Sequence, residues 1–370
     1  MTHRSPFPVF AADRREFLSG LVVGGAAISV VPSAVLAQGR SHDLSARARD
    51  WEWLAGNWDV RNRRLGRRLA GSTDWDEFGG KSAVWLTMGG LGTIDDNILD
   101  LPGGLYRAAG IRAFDPVSGR WSIWWLDGRN PTRIEAPVTG RFEGDGGIFT
   151  GTDTFEGRPI DVRFEWQAIH GQRPHWRQSF SPDHGATWEM NWENFFTRTS
   201  KLPRPLPLLA SEDPARAPDD WGFLAGRWTV HHRKLRQRLA ASKDWEEFGG
   251  KFVNWPILGG NGNIGDNLME APAGAFRGMG FRAWDPGTRE WLSWWLDSRN
   301  PTRIGEPLRG RFVNGIGTYL SDDVHEGRPV RARVTWSRIT GRTARWEQAF
   351  SADGGQSWEI NWTSDFTRLA

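Results

Sequence analysis

Leu54-Ala55-Gly56-Asn57-Trp58 returns later in the chain as Leu224-Ala225-Gly226-Arg227-Trp228. Trp124-Trp125-Leu126-Asp127-Gly128-Arg129-Asn130-Pro131-Thr132-Arg133-Ile134 returns as Trp294–Ile304 with one change, Gly128 to Ser298. Working outward from these blocks, Trp51–Arg198 lies on Trp221–Arg368 without a gap, and about half the positions are identical. The unit is about 150 residues, the size of a whole domain rather than of a solenoid or propeller repeat. The 370 residues therefore read as one fold duplicated and fused, with enough chain for two cores.

Ahead of the first copy, Arg14-Arg15-Glu16-Phe17-Leu18 precedes an apolar run from Leu21 to Val31 and the small-residue pattern Val35-Leu36-Ala37. This resembles a twin-arginine export signal. It implies a signal peptide over 1–37, a mature chain from Gln38, and a periplasmic or secreted protein. The apolar run is too short for a permanent span, so the mature form is expected to carry no stable membrane anchor. The expected organisation continues with a polar lead-in over 38–49 and a first domain over 50–200. A linker over 201–219, containing Pro203, Pro205, Pro207, Pro214 and Pro218, leads to a second domain over 220–370.

Each unit shows short alternating apolar–polar segments separated by turns and almost no helical period. In the first copy the candidate strands are Asn57–Arg64, Lys81–Met88, Tyr106–Phe114, Trp121–Asp127, Val138–Phe142, Ile148–Phe155, Pro159–Trp166, His175–Phe180 and Trp188–Thr197. One short helix is expected over Leu65–Ala70, and Asp96-Asn97 reads as loop chemistry. Eight to ten antiparallel strands in such a unit make an all-β protein of two tandem antiparallel β-barrels, closed or nearly closed, which removes exposed edges.

Gly56-x-Trp58 in the first strand and Arg198 at the end of the last resemble the calycin, or lipocalin, pattern, and Gly226, Trp228 and Arg368 repeat it. There the tryptophan plugs one barrel end and the arginine stacks across it, a cation–π closure. End to end, both copies are similar to an uncharacterised family of bacterial lipocalin-like proteins. The resemblance implies a barrel with an internal cavity and supplies no catalytic residues.

The composition is rich in tryptophan, 24 Trp against two Tyr. Neighbours on a strand face opposite ways, so Trp124 and Trp125 cannot line one cavity together. Polar residues shared by both copies on apolar faces are the candidate ligand contacts. They are Arg112, Trp125, Asp127, Arg129 and Gln178, repeated as Arg282, Trp295, Asp297, Arg299 and Gln348. Their two readings are an internal Arg–Asp–Gln network that satisfies itself, or an arginine clamp and hydrogen-bonding hook facing a ligand. The equal retention of these residues suggests that both pockets share a role.

Other chemistries find little support. Forty-seven Lys and Arg are interleaved with 44 Asp and Glu, without the basic face that nucleic acid requires. No cysteine exists for disulfide or thiol chemistry. The histidines do not repeat between copies, so no duplicated metal site, haem site or Ser–His–Asp set is expected, and no cofactor is. Gly79-Gly80-Lys81-Ser82 lacks the upstream glycine of a phosphate loop. Ser181–Trp188 and Ser351–Trp358 fit the Asp-box, a structural hairpin turn. The leading expectation is an exported binder of a small apolar or amphipathic molecule, anionic ones included. An enzyme like the tandem lipocalin-like hydratases and cyclases, with Asp127 or Glu189 as acid, is the second. A structural barrel filled solid by tryptophan is the third. Cavity volume and the pairing of the inward carboxylates separate them.

Overall fold

The computed structural model describes residues 44–208 and 216–369. The leader, most of the polar lead-in and the middle of the linker lie outside the described residues.

Strand formation follows the period-two pattern already visible in the sequence. The first unit contains β1 (Gly56–Leu65), β2 (Trp75–Thr87), β3 (Gly92–Leu101), β4 (Gly104–Asp115) and β5 (Arg120–Asp127). It continues with β6 (Val138–Glu143), β7 (Gly146–Phe155), β8 (Arg158–Gln167), β9 (His175–Ser181) and β10 (Glu189–Ser200). Each strand pairs antiparallel with the next, and β1 also pairs with β10, which closes the barrel. The second unit repeats this from β11 (Gly226–Leu235) through β12 (Trp245–Ile257), β13 (Gly262–Met269), β14 (Phe276–Asp285) and β15 (Glu290–Asp297). It ends with β16 (Leu308–Val313), β17 (Ile316–His325), β18 (Arg328–Ser337), β19 (Thr343–Ser351) and β20 (Glu359–Arg368), and β20 returns to β11. The protein is thus all-β, two closed ten-stranded antiparallel barrels in tandem.

Two local expectations fail. Residues 66–71 form turns rather than the helix expected over Leu65–Ala70. Leu69 sits at φ 53°, and its N–H donates to the Glu189 carboxylate at 2.7 Å, a partner from the far end of the unit. Asp96-Asn97 is not a loop: it lies inside β3, a strand the pattern did not reveal. Its acidic residues are stabilised in the sheet by distant partners. Inside, Asp95 meets Arg112 at 2.6 Å; outside, Asp96 accepts the Leu258 N–H of the second barrel at 2.9 Å.

One end of each barrel is packed with rings. Trp51 is fully buried among Trp53, Trp121, Phe142, Phe149 and Trp166, with centroids 4.7–6.0 Å away. Trp221 repeats this with Phe223, Trp291, Phe312, Tyr319 and Trp336. Arg198 lies 3.9 Å over Trp58, and its guanidinium donates to the carbonyls of Trp53 and Ala55. Arg368 lies 4.2 Å over Trp228 and donates to Phe223 and Ala225. The stack and the paired carbonyls close that end by cation–π attraction and hydrogen bonding together.

The outward faces of β3–β5 pack on those of β12–β15. Ile94, Ile111, Trp124 and Leu126 share one buried cluster with Ile264, Phe281, Trp294 and Leu296. Trp85 meets its own counterpart Trp255 at 5.6 Å. The linker is anchored on the first barrel as well. Leu206 is buried against Ala83 and Ile98, Asn57 exchanges two hydrogen bonds with Arg204, and Arg107 donates to the Pro207 carbonyl.

Candidate functional site

Because Trp58 points inward, alternation along β1 also sends Val60, Asn62 and Arg64 inward. Pairing then brings to the same face Ser82 of β2, Asp95 and Asn97 of β3, and Tyr106 and Arg112 of β4. These side chains, with Trp125, Asp127, Phe155, Phe164, Trp176, Gln178, Trp192 and Asn194, line a cavity of about 370 Å³ above the packed end of the first barrel. Its volume lies within the range that holds a small organic molecule, roughly 300–1,000 Å³.

The five sequence candidates of the first copy all reach this cavity, in two different states. Arg112 is deep and already engaged. It pairs with Asp95 at 2.6 Å, reaches Thr93 at 3.2 Å and lies 4.7 Å over Trp51. Gln178 donates to Asn191 at 2.9 Å in the wall, and the Asn191 amide nitrogen is left without an acceptor among the described residues. Asp127 is gripped by Arg129, with Nη2 at 2.5 Å and Nε at 3.0 Å, while the Arg129 N–H closes the loop at 2.8 Å. Arg129 stacks 3.7 Å over Tyr106, whose hydroxyl is pushed up to about 12 chiefly by burial. Trp125 contributes a ring to the wall beside Leu99 and Tyr106. Trp124 faces the opposite way, into the contact between barrels.

Sequence reasoning missed much of the lining, including three charged residues, Arg64, Arg68 and Glu135. Arg64 and Arg68 are half-buried at the mouth. Arg64 lies over Phe78 and Trp192 at 5.8 and 5.4 Å, and Arg68 over Phe155 and Phe180 at 4.5 and 5.6 Å. Glu135 stands on the rim, its carboxyl raised above the ordinary range by burial and by the charge of Asp153. Arg64 was recoverable from strand alternation. Arg68 depends on the Leu69 turn, which only the contact with Glu189 explains.

The second barrel does not repeat the cavity lining residue for residue. Phe252 replaces Ser82 and Gly265 replaces Asp95, and the two changes are complementary. A Cβ at Gly265 would fall 2.3 Å from the Phe252 ring, so the ring occupies space that Asp95 fills in the first barrel. Arg282 consequently has no carboxylate partner among the described residues. It donates to Asn263 at 2.7 Å, stacks 4.1 Å over Trp221, and keeps a buried Nε without a hydrogen bond. Burial pushes its guanidinium down to about 10. His232 replaces Asn62, with Nδ1 2.8 Å from the Ser364 hydroxyl and the ring 4.8 Å from Phe248. Gln348 keeps its bond to Asn361 at 2.9 Å, and Asp297 keeps Arg299 at 2.6 Å. Trp295 lies over Gly278, at a place where the Ala108 methyl of the first barrel would collide, and is 38% exposed.

The Asp-boxes are tight turns. Asp183 accepts from the Thr187 N–H and hydroxyl at 2.8 and 2.6 Å, which holds its carboxyl down at about 2, and Trp188 donates to Gly185. Glu189 is engaged by the Leu69 N–H. Among the described residues no cluster of three His, Asp or Glu is arranged to hold a metal, and no helix is long and apolar enough to cross a membrane.

No family model matches the chain, and no curated protein matches it. Among solved structures, it is similar to a protein of unknown function from the DUF3598 family of Nostoc punctiforme PCC 73102. That pair is 10% identical over 87% of this chain and 99% of the other, with a TM-score of 0.23. A transferrin binding protein B from Haemophilus parasuis is 6% identical over 85% and 77% of the two chains, with a TM-score of 0.18.

Proposed function

We propose that the chain is an exported, lipocalin-like tandem barrel whose first barrel binds one small apolar or amphipathic molecule. The observation that carries this reading is the difference between the two interiors. In one copy the Phe252 ring fills the space over Gly265, while the other keeps a cavity of about 370 Å³ lined by rings and hydrogen-bonding groups. Leaving such a space unfilled forfeits packing contacts, as the Phe252 solution in the second copy shows by contrast. Arg198 over Trp58 supports the lipocalin-like kinship, and the leader read from the sequence supports export.

Native mass spectrometry of the mature protein from its own periplasm tests the binding. A reproducible extra mass at one per chain, lost on denaturation, is the expected result; a clean apo mass after gentle isolation rejects it. Retention of an Arg14→Lys, Arg15→Lys variant in the cytoplasm checks the route.

A second reading, acid chemistry on the bound molecule, is favoured by one observation. Glu135 is a rim carboxyl without an ion pair among the described residues, and burial and Asp153 hold it partly protonated at higher pH than an ordinary glutamate. Asp127, by contrast, is gripped by Arg129, and Glu189 is spent on a turn. If Glu135 donates a proton, the molecule carried by a Glu135→Gln variant is the unconverted one, heavier or lighter by a water for a hydration and distinct in chromatographic retention and absorption spectrum for a cyclisation. Molecules identical in mass, retention and spectrum remove the acid reading.

A further inference from the structure

We infer that the first barrel selects an anionic amphiphile, whose carboxylate, sulfonate or phosphate group sits between Arg64 and Arg68 at the mouth while its apolar body lies among the cavity rings. The inference rests on the cavity reading above and names its ligand class.

The two guanidiniums stand apart from the other cations of the lining. Arg112 is neutralised by Asp95, Arg129 by Asp127, and Lys81 by Asp59 at 2.7 Å. Arg64 and Arg68 have no carboxylate within ion-pair distance among the described residues; each is held instead on two aromatic faces. Those stacks position the planar groups without consuming their N–H donors, which remain for a ligand. Carboxylate and phosphate oxygens match the guanidinium fork bidentately.

The surrounding charges leave this spot positive. Burial lowers both arginines; the charge of Arg64 lowers Arg68 further, and that of Arg129 lowers Arg64. The acids acting on the pair are Asp76, Glu156 and Glu189, and each is too far to bond either guanidinium. Asp153 acts on Glu135, and neither is a cause of the shift of Arg64 or Arg68. An entering anion would relieve the repulsion between Arg64 and Arg68 in a partly desolvated setting, where such pairs count for more than in water. The Leu69 turn, fastened to Glu189, holds Arg68 over the opening rather than out in solvent.

The test compares two fluorescent probes that share their rings and differ in charge: 8-anilinonaphthalene-1-sulfonate and the neutral N-phenyl-1-naphthylamine. The expected result is tighter binding of the sulfonate, weakened by added salt while the neutral probe is unaffected. In the Arg64→Gln, Arg68→Gln double variant the sulfonate should lose about tenfold or more in affinity. The neutral probe should be retained, which also shows that the variant is folded. Equal or tighter binding of the neutral probe by the wild type overturns the anion selection and leaves the cavity reading standing. A sulfonate preference that survives in the double variant overturns the assignment to these two arginines. Binding of neither probe overturns the cavity reading along with the inference.

Discussion

The Met88 N–H of the first barrel donates to the Asp266 carboxylate of the second at 2.9 Å, and the relation holds in reverse, with the Leu258 N–H donating to Asp96 at 2.9 Å. Met88 and Leu258 occupy equivalent corners at φ 49° and 53°, each followed by two glycines, so each corner aims its N–H at the other copy. With Trp85 against Trp255, the contact is isologous, as between subunits of a two-fold dimer. This also accounts for the near-identity of the Trp124–Ile134 and Trp294–Ile304 blocks. Trp124, Leu126 and Ile134 pack against the other barrel, and Asp127 and Arg129 lock the loop that follows. Much of what the two copies keep in common serves their mutual packing rather than a ligand.

Removing one reciprocal acceptor should therefore weaken the whole chain. Asp266→Ala leaves the Met88 N–H unsatisfied at a buried contact and should cost about 1–3 kcal/mol. Asp96→Ala should cost more, because Asp96 also faces the buried Arg107 at 3.3 Å. Urea denaturation checks the order; equal, negligible effects would show that water replaces both contacts.

The first-barrel strands were legible wherever apolar and polar residues alternate, and the opposed faces of Trp124 and Trp125 followed from that period alone. The strand β3 was not, because Gly92–Leu101 carries Asp95, Asp96 and Asn97 in its middle. Their places depend on Arg112 of the neighbouring strand β4 and on Leu258 in the other barrel, which no local pattern encodes. Arg112, Trp125, Asp127, Arg129 and Gln178 were picked out as polar or aromatic residues shared by both copies, and all five line the cavity, but the sequence could not show which were already partnered. The unpartnered Arg64 and Arg68 were passed over because one copy alone does not reveal which cations lack acids.

The contrast between Arg112 and Arg282 separates a paired buried cation from an unpaired one. Arg112→Met strands the buried Asp95 and should cost about 3–5 kcal/mol. Arg282→Met removes a desolvated charge that has no acid partner and should be near neutral, the lost stack on Trp221 offsetting the gain. Chemical denaturation of the two variants decides it. A large loss in Arg282→Met would mean that its stack and its bond to Asn263 outweigh the desolvation.

Phe252 should behave as a plug. Phe252→Ser leaves the space over Gly265 empty, because the facing position has no side chain with which to refill it. A loss of about 3–5 kcal/mol is expected. The same variant should gain a binding site for the neutral naphthylamine probe, raising the stoichiometry from one to two per chain. An unchanged stoichiometry would show that the barrel collapses around the deletion.

His232 makes the second barrel sensitive to acid. Its ring is buried on Phe248, beside Trp362 and the Ser364 hydroxyl, with the charge of His231 adjacent. Burial first, and His231 second, bring its pKa down to about 4, below the ordinary histidine value of 6.5. The unfolded chain therefore binds this proton more readily than the folded one. Stability is whole above pH 6.5 and falls as the pH drops toward the folded value. From this group alone the loss should reach about 3 kcal/mol near pH 4. His232→Asn installs the residue that the first barrel carries at the same place, Asn62, which accepts from the indole of Trp192 at 3.2 Å. The melting temperature of this variant should approach, then overtake, that of the wild type as the pH is lowered from 6.5 to 4. A difference between the two that stays constant across this range would mean that His232 gains its proton without opening the barrel.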